Sequence, residues 1–328
     1  MTRVAAVDCG TNSIRLLICE YDGQHTRELH REMEIVRLGK GVDATGELAP
    51  AALERTRAAL THYVEIMEFE QVTDVRMVAT SATRDAANRE EFFAMTAELL
   101  GRIRPGARAE VISGEEEAAL SFRGAVADLD QSQGPFCVID LGGGSTEFIV
   151  GQPNGLVLGS HSVQMGCVRV TERIMRSDPP TATEIEIALD FVADQLRHVE
   201  TIVPVADART FVGCAGTFTT LSALAQGLET YDPAAIHGSE LRFDALKVLT
   251  REVVAERSSE RAQHPVIHKG RADVLGGGAT IVRGIVDMIE RNTRAESFII
   301  SEKDIMDGIV ADLCRKSETD ENLPDPLA

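Results

Sequence analysis

Two short turns combine an aspartate with glycine and hydroxyl residues: Asp8-Cys9-Gly10-Thr11-Asn12-Ser13 and Asp140-Leu141-Gly142-Gly143-Gly144-Ser145. Glycine permits close backbone approach, hydroxyls add donors, and converging N–H groups form concavities that bind phosphate oxygens. An aspartate at the mouth of each turn, Asp8 or Asp140, is suited to hold Mg2+ directly or through water. Taken singly, each turn reads more readily as a hairpin with a supporting aspartate. The pair fits a phosphate chain held at two points.

A third acidic group lies in Ile112-Ser113-Gly114-Glu115-Glu116-Glu117-Ala118. Ser113 followed by Glu116 matches a capping box, so a helix is expected to start here. Glu115 and Glu116 serve that start, and all three carboxylates suit the positive end of the dipole. Glu117 has no capping duty and, at ~100° per residue, points away from its neighbours. Beside bound phosphate its pKa would rise, which suits a general base for water. Arg15, Arg84 and Arg271 lie near the small-residue turns, Arg271 alongside His268 and Lys269 ahead of a helix start expected at Asp273. Each is a cation for an anionic ligand or an ordinary solvated arginine. The run Gly142 to Glu147 is neither a P-loop nor a dinucleotide fingerprint, because no Gly-Lys-Ser/Thr follows and the sixth position is Glu147.

The elements that must hold these residues occur twice. Residues 4–23 and 136–155 align without gaps at an offset of 132, placing Asp8 on Asp140, Gly10 on Gly142, Ser13 on Ser145 and Gly23 on Gly155. Each copy reads as a β-hairpin. Met77 to Thr83 parallels Phe211 to Thr217 at an offset of 134, each a buried strand ending in a small-residue loop before a helix. Two echoes in one order predict a duplicated α/β domain, hence a two-lobed molecule with a cleft between related halves. Helical periodicity predicts helices over 49–69, 90–100, 183–202, 243–254 and 279–291, a short strand at 298–300 and a closing helix over 304–314. The first lobe is expected over 1–126, with a helix at 302–315 folding back on it, the second over 127–301, and a disordered tail over 316–328.

Composition narrows the classes. Of 328 residues, 44% are hydrophobic and 26% charged, which excludes wholesale disorder. No apolar run reaches the ~18 residues of a membrane span, and no signal peptide is visible at the start, so a cytoplasmic protein is expected. Six dispersed cysteines lack C-x-x-C spacing, and Pro265 spoils a helical pair at His264 and His268, so no structural zinc is expected. A net charge of −19 disfavours nucleic acid and anionic membranes. A polyanionic substrate would need a local basic track and a divalent cation.

In order, DCGTNSIRLL, ATSATRDAANREEF, ISGEEEA, IDLGGGSTEFIVG, GCAGTFTTLSALA and GRADVLGGGATIV closely resemble the exopolyphosphatase / guanosine pentaphosphate phosphohydrolase (Ppx/GppA) family. The resemblance implies a duplicated actin-like (ribonuclease H-like, ASKHA superfamily) α/β fold with an interlobe cleft. It implies a Mg2+-dependent, or Mn2+-dependent, hydrolase that removes the terminal phosphate of inorganic polyphosphate. By the same resemblance Glu117 corresponds to the catalytic base, and Asp140 and Glu147 to metal-binding acids, with Asp8 the first-loop aspartate. Gly10, Thr11, Asn12, Ser13, Gly142, Gly143, Gly144 and Ser145 correspond to phosphate loops, and Arg84 and Arg271 to channel arginines. A homodimer follows from resemblance only. The chain resembles the short form, without the C-terminal helical domain of longer members. A pppGpp 5′-phosphohydrolase, an ATP-dependent kinase using GCAGTFTT as a nucleotide loop, and a non-catalytic polyphosphate or nucleotide sensor are the alternatives.

Overall fold

A computed structural model describes residues 1–321. The chain divides into two compact units, Met1–Ser113 with the segment from Ile305 onward, and Gly114–Asp304. Each unit is built on one mixed sheet.

The first unit contains strands β1 (Thr2–Cys9), β2 (Ser13–Tyr21), β3 (Thr26–Ile35), β4 (Asp74–Ala79) and β5 (Glu110–Val111), in the order β3-β2-β1-β4-β5. The second contains β6 (Phe136–Leu141), β7 (Thr146–Gly151), β8 (Val157–Val163), β9 (Thr210–Cys214), β10 (Glu240–Arg242) and β11 (Ser297–Ile300), in the order β10-β11-β9-β6-β7-β8. Each first strand pairs antiparallel with its hairpin partner and parallel with the strand after the crossover. The order 3-2-1-4-5 thus recurs as 8-7-6-9-11, with β10 an added edge strand. The duplication legible at offset 132 is a duplication of topology.

The second echo shifts by two residues in the sheets. Val78 lies opposite Asp8, and Cys214 opposite Asp140. The helices that follow begin at Ser81 and Ala215. The connection in the second unit is therefore two residues shorter, and Ala215 takes φ 66 to make the turn.

Strand alternation sets what faces what. In the first unit, Ala5, Val7, Cys9, Ile14, Leu16 and Ile18 join the core beneath helix Pro50–Phe69. The opposite face, with Val4, Ala6, Asp8 and Leu17, is covered by the closing helix Ile305–Glu321. In the second unit, Cys137, Ile139, Phe148 and Val150 face the large core, and Val138 and Ile149 pack against helix Gly114–Val126. One helix thus covers the aspartate-bearing face of each sheet, and in both cases it follows the strands of the other unit in the chain. Helix Gly114–Val126 goes with the second unit because its apolar stripe, Ala118, Phe122, Ala125, meets that sheet.

Helices Pro50–Phe69, Arg89–Leu100, Ala182–Ile202 and Phe243–Ala255 lie within a residue of their expected positions. The helix expected from residue 279 begins at Leu275, so Asp273 precedes it rather than starting it. The three glycines at 276–278, poor helix formers, hid its first turn; their missing side chains let it approach Cys167, Thr171 and Thr217. The closing helix continues to Glu321, through residues 316–321 for which disorder was expected, since extending a packed helix needs only one further hydrogen bond per residue. The remainder of that expected tail, 322–328, lies outside the described residues. No helix among the described residues is long and apolar enough to cross a membrane.

Candidate active site

The period of two places Asp140 on the same face of β6 as Val138, and Glu147 on the same face of β7 as Ile149. The two acids are direct cross-strand partners. The helix covering that face begins at Gly114, directly after Ser113, and carries Glu117 in its first turn. Glu115 and Glu116 are exposed, whereas Glu117 is buried with 7% exposure, Asp140 with 8% and Glu147 with 2%. Ser121, one turn beyond Glu117, donates to Asp140 Oδ2 at 2.7 Å, and Ser162 of β8 donates to Glu147 Oε1 at 2.7 Å. Burial, with the charges of Glu117 and Asp140 beside it, pushes the Glu147 carboxyl well above its ordinary range, and the Ser162 and Ser145 hydroxyls oppose that shift.

The adjoining loop is held from behind. The Gly142 amide donates to the Ser145 carbonyl at 3.0 Å, closing the turn. Its carbonyls are tied to the start of helix Cys167–Arg173: Gly142 accepts from the Cys167 amide, Gly143 from those of Val168 and Arg169, and Gly144 from Arg169 Nε. A trans peptide sends C=O and N–H to opposite sides. Tying back these three carbonyls therefore turns the amides of Gly143, Gly144 and Ser145 to the other face, as a nest for an anion. Gly166 is needed for this approach, since a Cβ there would fall 2.3 Å from the Gly143 backbone.

The first loop repeats the device. Gly10 donates to the Ser13 carbonyl at 3.0 Å, the Thr11 carbonyl accepts from Gly39, and the Asn12 carbonyl accepts from both Val36 and Arg37. Thr11 Oγ1 and Ser81 Oγ lie 3.0 Å apart. The flanking pair, however, has different chemistry. Arg15 occupies the position equivalent to Glu147, opposite Asp8, and donates to Asp8 Oδ2 from Nε at 3.1 Å and Nη2 at 2.7 Å. The first unit neutralises its loop aspartate, while the second stacks carboxylates.

Arg84 Nη1 donates to the Ile112 carbonyl at 2.9 Å, anchoring the chain two residues before the helix of Glu117. Arg271 lies against Gly216, where a Cβ would fall 0.9 Å from Nη1, at the start of helix Ala215–Ala225. It is also close enough to Cys167 to act on the thiol electrostatically. A guanidinium at the positive end of a helix is a like-charge arrangement that an anion between them relieves. Within the second unit, Glu117, Asp140, Glu147, the Gly142–Ser145 loop and Arg271 are thus gathered around the sheet's β6, β7 and β9 ends. Asp8, Gly10–Ser13, Arg15 and Arg84 belong to the first unit.

Several contributing residues carried no recognised motif. Ser121 was signalled only by standing four residues after Glu117, on the same helix face. Ser162, Gly166 and Arg169, and the 36–39 segment behind the first loop, had no local signal because their role is defined by long-range contact. The donors of the acid cluster are all oxygens, the hard set that Mg2+ or Mn2+ takes. A cation would also relieve the repulsion that Glu147 meets. Among the described residues no group of three or more His, Cys, Asp or Glu side chains is spaced to hold a metal alone. Mg2+ rests on one or two carboxylates completed by water and substrate phosphate oxygens, and Asp140 with Glu147 fits that requirement.

Duplicated sheets carrying glycine-loop anion nests, with a buried carboxylate cluster beside one of them, define an actin-like phosphate-handling fold. Residues 17–317 match the model of the Ppx/GppA phosphatase family, and the chain belongs to that family. It is 50% identical over 317 residues to Exopolyphosphatase 2 of Mycobacterium tuberculosis, covering 95% of this chain and 99% of that one. A crystal structure of an exopolyphosphatase-like protein superposes with TM-score 0.89 at 39% identity, covering 96% of this chain and all of that one. A guanosine-5′-triphosphate,3′-diphosphate pyrophosphatase of Vibrio atlanticus is 29% identical over 87% of this chain, which spans 55% of that protein. Phosphatases of this family generally depend on a divalent metal.

Proposed function

We propose that the protein is an exopolyphosphatase that hydrolyses the terminal phosphoanhydride of inorganic polyphosphate and releases orthophosphate. The observation that carries this reading is the buried Glu117 facing Asp140 and Glu147 beside an amide nest made by Gly143, Gly144 and Ser145. The nest and Arg271 bind and orient the terminal phosphates, and Glu117 orients the attacking water and accepts its proton as the P–O bond to the chain breaks. Ser121 and Ser162 keep the two neighbouring carboxylates in fixed orientations. A divalent cation of the Mg2+ or Mn2+ class, held by Asp140 and Glu147, supplies neutralisation of charge on the phosphoryl oxygens when bound. Gly10, Thr11, Asn12 and Ser13, with Arg84, are assigned to phosphate binding on the first unit. Asp8 is assigned to holding Arg15 in place, since that guanidinium already occupies one of its oxygens.

Hydrolysis of pppGpp at its 5′ end uses the same bond chemistry and is favoured by the pyrophosphatase relative, although the chain spans only 55% of that protein. The end-to-end match at 50% identity favours polyphosphate. Six buried free cysteines are consistent with a reducing, cytoplasmic setting. Phosphate release from long-chain polyphosphate, tripolyphosphate and pppGpp, each with Mg2+ and with Mn2+, tests the assignment; polyphosphate is expected to give the highest kcat/KM. Glu117→Gln is expected to fold and bind polyphosphate while turnover drops ~10²–10⁴-fold. Near-normal release from that variant would remove Glu117 from the mechanism.

A further inference from the structure

Within the second unit, helix Leu275–Asn292 packs against both helix Ala182–Ile202 and helix Phe243–Ala255. Their apolar residues join the large core that also takes Cys137 and Ile139, so these helices cover the face of the sheet opposite Asp140 and Glu147. The helices come closest at Gly284, where there is no room for a Cβ beside Val192. One turn nearer its start, the same helix presents Ala279 and Thr280. With Ile185, Thr250, Val254 and Ala255 they line a cavity of 160 Å3. The two alanines, short where a longer side chain would fill the gap between helices, leave this space.

The wall of the cavity is hydrocarbon. Its threonines spend their hydroxyl protons inside their own helices, Thr250 Oγ1 on the Leu246 carbonyl at 2.7 Å and Thr280 Oγ1 on the Gly276 carbonyl at 3.0 Å. The remaining lining residues are cations: Arg251, exposed, and Arg283, half-buried, on the two facing helices. Neither is hydrogen-bonded or ion-paired among the described residues. The nearby Arg261, by contrast, is buried and donates to the carbonyls of Val253, Glu256 and Ala272. In a chain of net charge −19, carboxylates are plentiful, yet none is set against Arg251 or Arg283. A guanidinium binds a carboxylate through paired N–H donors. Two of them beside an apolar cavity are complementary to a molecule with an anionic head and a hydrocarbon body.

We propose that this cavity is a binding site for a small carboxylate whose apolar body has about six carbons, the size that an apolar space of about 150 Å3 accommodates. The hydrocarbon rests against Ile185, Val254 and Ala279, and the carboxylate on Arg251 and Arg283. The site goes beyond the exopolyphosphatase reading and stands without it. Inorganic polyphosphate has no hydrocarbon to fill the cavity, and the carboxylate cluster lies on the other face of the sheet.

Calorimetric titration of the full chain with hexanoate tests the proposal. Hexanoate is expected to bind saturably, and butyrate roughly tenfold more weakly, since each methylene lost from an apolar site is worth about fourfold. Hexylamine, which brings a cation to two others, is expected not to bind. Arg251→Gln and Arg283→Gln should each weaken hexanoate about tenfold, with melting temperatures close to that of the parent because neither guanidinium has a partner among the described residues. Ala255→Leu, at an exposed position of the lining, fills the cavity and should abolish the binding heat. No saturable binding of hexanoate to the parent up to ~10 mM overturns the proposal, as does equal affinity in the parent and the three variants. Equal affinity for butyrate and hexanoate would leave an anion site without an apolar pocket and overturns it as well. So does displacement of hexanoate by tripolyphosphate at lower concentration, which would assign the two arginines to phosphate chains instead.

Discussion

Glu147 is placed by folding in an electrostatic conflict. Folding removes it from water and sets it beside Glu117 and Asp140, so its proton is held more tightly in the folded chain than in the unfolded one. The sign of the linkage follows. The folded state binds more protons over the window from the ordinary value of 4.5 up to the raised one, so stability falls as pH rises through that window. Below pH 4.5 the carboxyl is protonated in both states and the penalty is absent. Glu147→Gln, in metal-free buffer, is therefore expected to melt a few degrees above the parent at pH 8, with the difference closing towards pH 4. Thermal scans across that range check it, and a variant less stable than the parent at pH 8 would show that the Ser162 contact outweighs the repulsion. Serine hydroxyls hold two of the three acids, Ser121 donating to Asp140 and Ser162 to Glu147. A hydrogen bond to a charged group contributes ~1.5–3 kcal/mol, enough to hold orientation but not to cancel the repulsion.

At the scale of elements, the loops work because other segments hold them. A glycine-rich turn alone samples many conformations. In the second unit the start of helix Cys167–Arg173 draws three successive carbonyls backwards, and in the first unit a four-residue stretch after β3 does the same with two. Gly166 is the critical point of the former, for its missing side chain admits the Gly143 backbone, which cannot step aside. Gly166→Ala is expected to cost ~1–3 kcal/mol in stability, the range of an overpacked site, and to lower kcat/KM as the amide nest opens. Urea denaturation together with phosphate-release kinetics would measure both; an alanine variant with parental kinetics would show that this brace does not set the nest. Arg271 differs, since the group facing Gly216 is the end of a flexible side chain.

At the scale of the molecule, the first unit is closed by residues from the far end of the chain. Helix Ile305–Glu321 covers the Asp8 and Arg15 face of its sheet, with Ile309 wholly buried and Asp307 bonded to Arg31 of β3. Stability of the first unit should thus depend on a helix that begins at Ile305, long after the rest of the unit ends at Ser113. Ile309→Ala is expected to lower the free energy of unfolding by ~2–5 kcal/mol, read by chemical denaturation, and the transition assigned to the first unit should move most. A cost under 1 kcal/mol would mean that this face tolerates loss of its cover. The equivalent cover in the second unit is the helix that brings Glu117 to Asp140 and Glu147, so one architectural rule both seals a sheet and assembles a site.

The duplicated hairpins, the small-residue loops, most helices and the distinction of Glu117 from Glu115 and Glu116 were legible in the amino-acid sequence. These follow from local rules: alternation, helical periodicity, the chemistry of glycine and the demands of a helix start. Strand β8 and the first turn of helix Leu275–Asn292 escaped because a Gly/Ser/His-rich strand and a triple glycine lack local propensity. Folding set the rest: Arg15 neutralises Asp8 while its counterpart Glu147 joins Asp140, Ser121 and Ser162 orient Asp140 and Glu147, and the Val36 and Arg37 amides brace the Asn12 carbonyl. Each depends on segments distant in the chain meeting within hydrogen-bond range. Local patterning fixes which way a side chain faces, but not which group waits for it there.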